Sequence, residues 1–336
     1  MRTRWSAAGT CTAVLVVLLA AACSSSGSSG NSASNASSSS NGLVKVKMEL
    51  SPVVDGEPVF YAVSNGIFKK HGLDVDAFQA PVGGPAAIPN LLNGQIQFEG
   101  TGPGTVIPVW AQGIPVTAVA PLSFSGSNAS NTLERLIATK ASGITSVSQL
   151  AGKTIAVPTL NNMGQTVISA YLAANGVDPS SVKYTAVPYP SMEAAIKSGA
   201  ATIEWCTEPY LTEIQHTVPI NILGAPEPTV GSFLPNFMVV ASNSYVSSHK
   251  QVIQEMQAAI AESITDLGAN PAEARSFTHS FTTIPTQYLQ QMNMPNFSID
   301  WNVNGFQQLA DTALKYGIIK TSVDVSKHML TFPPAS

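Results

Sequence analysis

Two stretches of the chain run through the same succession of a strand, a short helix, a glycine that stops it and a second strand. In the first, Val75 and Phe78 belong to a strand and residues 85–93 read as a helix stopped by Gly94. Ile96 and Phe98 then lead into a strand that ends at Glu99-Gly100-Thr101-Gly102. In the second, residues 182–187 form a strand, 191–198 a capped helix and Gly199 its stop, and 203–206 form a strand that ends at Thr207-Glu208-Pro209. Strands alternating with helices predict a mostly parallel sheet covered by helices. Two such copies, each with a Glu near its exit, predict two similar α/β lobes.

The remaining segments fit that plan. Val44, Val46, Met48 and Leu50 alternate with Lys45, Lys47 and Glu49, the pattern of a strand with one wetter face. Pro58 suits a first helical position, and His71-Gly72 closes the helix that follows. Residues 136–138 are a candidate crossing strand, followed by a short helix at 146–150 and a strand at 154–157. A helix over 163–175 ends at Gly176, and the apolar run 237–241 carries the chain back to the first lobe. From Asn243 on the pattern is helical, over 245–267, 271–281, 286–292 and 303–316, and these helices brace the lobes from behind. The expected division is 43–136 with 238–336 for lobe I and 137–237 for lobe II.

Ahead of this lies a different kind of sequence. Arg2 and Arg4 precede an apolar run over residues 12–22, the form of an export signal, expected over residues 1–22. The run is shorter than the roughly 20 apolar residues needed to span a bilayer. Residues 24–42 contain only Ser, Gly, Asn and Ala, which cannot bury apolar surface and behave as a flexible tether. Of three cysteines, Cys11 leaves with the signal. The domain beyond the tether keeps only Cys206, so no disulfide is expected within it and Cys206 is read as an inert buried thiol.

With 44% apolar and 11% charged residues, the chain has the composition of a well-packed globular protein. Losing Arg2 and Arg4 takes its net charge from −4 to −6. A mildly acidic chain without a Lys or Arg run gives no footprint for nucleic acid.

Five segments carry a family resemblance. Leu19-Ala20-Ala21-Ala22-Cys23 resembles the lipobox of bacterial lipoproteins, which implies that Cys23 is acylated, becomes the mature N-terminus and anchors the protein to the extracytoplasmic face of the membrane. Residues 62–75 (AVSNGIFKKHGLDV), 92–98 (LNGQIQF), 147–157 (VSQLAGKTIAV) and 205–210 (WCTEPY) resemble, in order and spacing, the solute-binding proteins of the nitrate, sulfonate, taurine and thiamine-precursor group, also called NMT1/THI5-like. The resemblance implies a type II periplasmic-binding-protein fold, with two α/β lobes joined by two crossing strands and a ligand held in the cleft as the lobes close. It implies an ABC permease and ATPase as partners, a small-molecule ligand, no cofactor, and a monomer.

In open sheets of this kind ligands bind outside the carboxyl ends of the strands, where helix N-termini present free N–H groups. The strand-end loops expected here are 52–57, 80–84, 99–105, 122–128, 159–164, 188–191 and 206–210, and none contains Lys or Arg. Candidate ligand contacts are Asp55, Glu57, Glu99, Thr101, Gly102, Phe124, Asn128, Asn161, Asn162, Met163, Tyr189 and Glu208. Several have a structural alternative: Asp55, Glu57 and Glu208 as charges at helix N-termini, Glu99 as a solvent-facing charge, Asn161 and Asn162 as turn residues, and Phe124, like the aromatic Trp205, as core. Four carboxylates without a cationic partner favour a neutral or cationic organic ligand. The helix N-termini near 101–105 and 161–165 leave an anion as the alternative.

An enzyme of thiamine- or menaquinone-precursor metabolism and a ligand sensor are the rival functions. The five histidines show no metal-ligand spacing, and the sequence has no HExxH, paired-Cys or GxSxG motif, so no catalytic residue is assigned.

Overall fold

The computed structural model describes residues 42–80 and 84–332. The export signal, Cys23 and nearly all of the Ser/Gly/Asn segment lie outside the described residues. No helix among the described residues is long and apolar enough to cross a membrane.

In chain order the strands are β1 (Val44–Leu50), β2 (Leu73–Gln79), β3 (Phe98–Thr101), β4 (Val116–Phe124), β5 (Arg135–Thr139), β6 (Thr154–Val157), β7 (Lys183–Ala186), β8 (Ile203–Cys206), β9 (Ile220–Gly224), β10 (Pro235–Ser242) and β11 (Asn296–Phe297). The helices are α1 (Glu57–Ser64), α2 (Ile67–Lys70), α3 (Ile88–Leu92), α4 (Pro103–Ala111), α5 (Met163–Ala174), α6 (Tyr189–Ser198), α7 (Tyr210–Thr217), α8 (Asn243–Ser248), α9 (Lys250–Ala269), α10 (Pro271–Phe277) and α11 (Val303–Lys315).

The strands form two sheets, ordered β11-β4-β10-β3-β1-β2 and β7-β6-β8-β5-β9. In the first, β1 runs parallel to β2 and β3, while β10 is antiparallel to β3 and β4. In the second, β6 runs parallel to β7 and β8, while β5 is antiparallel to β8 and β9. The five-strand order and the strand directions are therefore the same in both lobes. The repeat read from the sequence is a repeat of topology.

The chain passes to the second sheet between β4 and β5 and returns between β9 and β10. The expected lobe boundaries at 136/137 and 237/238 fall inside β5 and β10. Only the apolar centre of each strand carries a pattern, whereas Arg135 and Pro235 join their ladders through backbone pairing that no pattern displays.

Local chemistry explains most element ends. Gly94 and Gly199 stop the two equivalent helices at φ +79° and +76°, a conformation that costs glycine little. β10 is buried along its whole length, and Met48, Leu50, Phe98 and Leu122 pack within its sheet, so this lobe has a continuous apolar core. The helix expected from Pro58 to His71 is broken at Asn65 and Gly66, where Gly66 turns left-handed at φ +70° and α2 restarts. The segment expected as one helix over 245–267 is likewise two, since His249 is not helical. Of the helix expected over 286–292 only a 3-10 turn, Thr286–Tyr288, forms. Helix α11 packs on both α4 and α5, so the C-terminal part touches both lobes.

Candidate functional site

Between the sheets lies a cleft with about 760 Å³ of space free of protein atoms, part of it open to solvent. One wall comes from the first lobe, through Ser51 to Val53, Asp55, Gly84, Pro85 and residues 101–105. The facing wall comes from the second, through Pro158, Thr159, Asn162, Met163, Pro188, Tyr189, Trp205 and Thr207. At the back, Glu134 precedes β5, and Asn236 and Phe237 lie on β10, so the two crossing segments close the cleft.

The back wall is a linked set of carboxyl groups. Asn236 Nδ2 donates to Asp55 Oδ1 at 3.1 Å and to Glu134 Oε1 at 3.0 Å, so one amide spends both hydrogens on two carboxylates. Ser123 Oγ donates to Asp55 Oδ1 at 2.5 Å, and Thr207 Oγ1 donates to Glu134 Oε1 at 3.4 Å. Thr132 donates to Glu227, which stands on the second crossing segment and is fully buried. Asp55 and Glu134 are only 2% and 4% exposed. Burial, and then the Glu134 charge, pushes the Asp55 carboxyl well above the usual carboxylate range, and the same two causes act on Glu227.

Arg135 lies beside this set, where the Glu227, Glu134 and Glu208 carboxylates favour its charge, and it is not among the residues that line the cleft. Its guanidinium donates to the carbonyls of Thr132 at 2.7 Å, Glu134 at 2.8 Å and Ser130 at 3.3 Å. It ties down the crossing segment, and among the described residues no Lys or Arg lines the cleft.

At the helix N-termini of the cleft some donors are missing or already bonded. Pro103 opens α4 without an N–H, and the Thr105 N–H bonds to Gly102 O. Pro188 caps α6 and Pro190 follows in its first turn. At α5, Asn162 Oδ1 accepts from Gln165 N at 3.2 Å, and the Gln165 side chain in turn accepts from Asn161 N. Gly104 and Met163, at the starts of α4 and α5, come so close that a Cβ on Gly104 would lie 2.4 Å from Met163 N.

The second lobe contributes a layer of rings. Tyr189 stacks on Tyr210 with centroids 5.9 Å apart and planes 9° apart, and Trp205 lies 6.5 Å from Tyr189 at 41°. Gly164 lets α5 lie directly on Trp205, because a Cβ there would come within 2.6 Å of the indole.

Of the twelve residues expected to contact ligand, Asp55, Thr101, Gly102, Asn162, Met163 and Tyr189 line this cleft. Glu57 is fully buried behind it and accepts from Thr278 Oγ1 at 2.9 Å. Glu99 is 1% exposed on β3, with the Thr101 side chain and the Gly84 backbone beside its carboxyl group. Phe124 ends β4 inside the core. Asn128 folds back on Ser130 and Asn131 in an exposed turn, and Asn161 occupies a left-handed turn at φ +55°. Glu208 caps α7, accepting from Thr212 N at 3.1 Å and from Asn293 N at 3.3 Å.

The Glu expected near the exit of each repeat is therefore placed differently in the second copy. Glu204, second residue of β8, is the counterpart of Glu99, second residue of β3. Sequence reasoning passed over Glu134 and Asn236, which stand just outside the apolar runs 136–138 and 237–241. Their one signal was position: each sits where the chain enters a crossing strand.

The sequence profile described as NMT1/THI5 like matches residues 55–274, more than half of the chain. The chain belongs to the NMT1/THI5-like family. Among solved structures, this family member is similar to the alkanesulfonate-binding protein SsuA from Xanthomonas axonopodis pv. citri bound to MOPS, at a TM-score of 0.71 and 14% identity. The match covers 85% of this chain and 98% of that one. The periplasmic nitrate-binding protein NrtA from Synechocystis PCC 6803 gives a TM-score of 0.71 at 15% identity over 85% and 86% of the two chains. A ligand-binding component of an ABC-type import system from Staphylococcus aureus, with zinc bound, gives 0.72 at 11% identity over 85% and 96%. No curated protein matches significantly in sequence. These likenesses establish the periplasmic-binding-protein fold for this NMT1/THI5-like chain.

Proposed function

We propose that the chain is the solute-binding component of an ABC importer, held outside the cell membrane by acylated Cys23, and that its cleft captures a small neutral or cationic organic molecule for a permease. Family membership and the two-lobed fold support the binding role, and the export signal and lipobox of residues 1–23 support the location. The observation that carries the ligand class is the pair Asp55 and Glu134, buried at the back of the cleft and sharing Asn236, with no Lys or Arg on any wall among the described residues.

Two of the three proteins named above are alkanesulfonate-binding and nitrate-binding, and the third has zinc bound. An anion placed in this cleft would meet two carboxyl groups, and the helix ends that could hold it have lost donors to Pro103 and to the bonds of Thr105 and Gln165. A neutral donor or an ammonium group meets acceptors there. The apolar body of such a ligand would lie among Pro52, Val53, Met163, Tyr189, Trp205 and Phe237.

Thermal unfolding of the chain from residue 42 onward, run against sulfonates, nitrate, polyamines, aromatic amines and neutral heterocycles, tests this. Ligand at one hundred times its dissociation constant adds about 2.7 kcal/mol, several degrees in midpoint. Shifts are expected with amines or neutral compounds. Shifts with anions alone would overturn the ligand class.

A further inference from the structure

We propose that Tyr210 is the latch that holds the two lobes closed, and that Tyr189 connects this latch to the ligand cleft. Tyr210 is the first residue of α7, in the second lobe, and takes no part in lining the cleft. Its hydroxyl donates to the carbonyl oxygen of Pro52 at 2.8 Å. Pro52 belongs to the first lobe, where it follows β1 and lines the cleft. The bond thus joins lobes whose connecting segments lie elsewhere, at 125–134 and 225–234.

The ring of Tyr210 is fixed from the other side. Tyr189 lines the cleft and stacks on it nearly in parallel, at 5.9 Å and 9°. A ligand that presses Tyr189 against Tyr210 sets the hydroxyl toward Pro52, so occupancy of the cleft and formation of the interlobe bond reinforce each other. Burial pushes the Tyr210 hydroxyl further above its ordinary value, so it remains a donor throughout the physiological range. Pro52 contributes a backbone acceptor that no side-chain substitution removes. Tyr210 acts through closure and through Tyr189; it is a positioning residue.

The test needs no ligand. Spin labels at Gln95→Cys and Lys183→Cys, exposed positions on opposite lobes, report the interlobe distance in the full chain carrying Cys11→Ser and Cys23→Ser; Cys206 is buried. With Tyr210 intact, the distance distribution should contain a population at the separation seen in the structure. Tyr210→Phe, which keeps the ring and removes only the hydroxyl, should lower the closed-to-open ratio about fivefold, the worth of one hydrogen bond. Tyr171→Phe is the control. Tyr171 loses an equivalent bond, its hydroxyl to Leu223 O at 3.1 Å, but within the second lobe, so it should lower the unfolding midpoint without changing the ratio. An unchanged ratio in Tyr210→Phe, an equal fall in Tyr171→Phe, or no closed population with Tyr210 intact would each overturn the proposal.

Discussion

Replacing Glu204 with glutamine is expected to raise the stability of the folded chain by a few kcal/mol at pH 8 and to leave it nearly unchanged at pH 4.5. Glu204 is fully buried on β8, and among the described residues neither carboxyl oxygen has a hydrogen-bond partner. Burial pushes its pKa from 4.5 to about 8. Glu99 reaches about 8 for the same first cause, as does Glu57. In the folded chain these groups hold their protons up to about pH 8, while in the unfolded chain they ionise near pH 4.5. Their contribution is therefore complete below about pH 4.5 and is lost as pH rises toward 8, with one unit of separation worth about 1.4 kcal/mol.

Glutamine cannot ionise, so Glu204→Gln removes one share of that loss. Thermal unfolding at both pH values measures it, and a gain of about 5–10 °C confined to pH 8 is the expected sign. Equal pH profiles for the two proteins would mean that Glu204 reaches water or a cation in the folded state. Glu204 is the better probe than Glu99, because burial alone shifts it, whereas the Glu99 carboxyl also meets Thr101 and Gly84 of the cleft wall.

Gly104→Ala is expected to weaken ligand binding by 10- to 100-fold while leaving the ligand-free chain as stable as before or slightly more so. A methyl group at Gly104 would lie 2.4 Å from Met163 N and 3.1 Å from Met163 Cβ. The first of these is backbone at the start of α5, so no side-chain rotation relieves the clash. Gly104 belongs to the first lobe and Met163 to the second, and the strain is relieved when the lobes part. In the open form alanine is the better helix former at this position of α4, by roughly 0.5–1 kcal/mol. Unfolding midpoints with and without the bound compound separate the two effects: the ligand-free midpoint should hold or rise, and the ligand-induced shift should shrink. A retained shift would show that binding does not require α4 and α5 to meet.

How much of this could be read from sequence depended on how local its cause is. Gly94 and Gly199 announce their helix ends because the left-handed turn is a property of one residue. The alternation along residues 44–50 announces β1 for the same reason. The cleft carboxyls are another matter. Asp55 was legible beside a helix start, but Glu134 becomes its partner only through Asn236, 102 residues further on. Glu99 looked like an exit residue until ladder register placed it on a central strand, whereas Glu204 lay inside the expected strand 203–206 and was not singled out. Glu208, next to Pro209 in a family-like segment, resembled a cleft carboxylate and is spent on capping Thr212. Even the start of α6 was misjudged by two residues, since Pro190 fits the first turn of a helix as readily as the loop before it.

The donor-bearing end of the solute is expected to rest on Asp55, Asn236 and Glu134. Calorimetric titration of the compound that gives the largest thermal shift, into the unmodified protein and into Glu134→Gln, tests it most directly. Glutamine at 134 keeps one oxygen for the bonds from Asn236 and Thr207, removes the charge, and places an amide donor where the second oxygen faces Thr132 and Glu227. A cationic compound should bind about 10- to 100-fold more weakly to Glu134→Gln, the range for one charged hydrogen bond, and a neutral one should lose less. Unchanged affinity for a cation, or tighter binding of an anion to the unmodified protein than of any amine or neutral compound, would contradict the account.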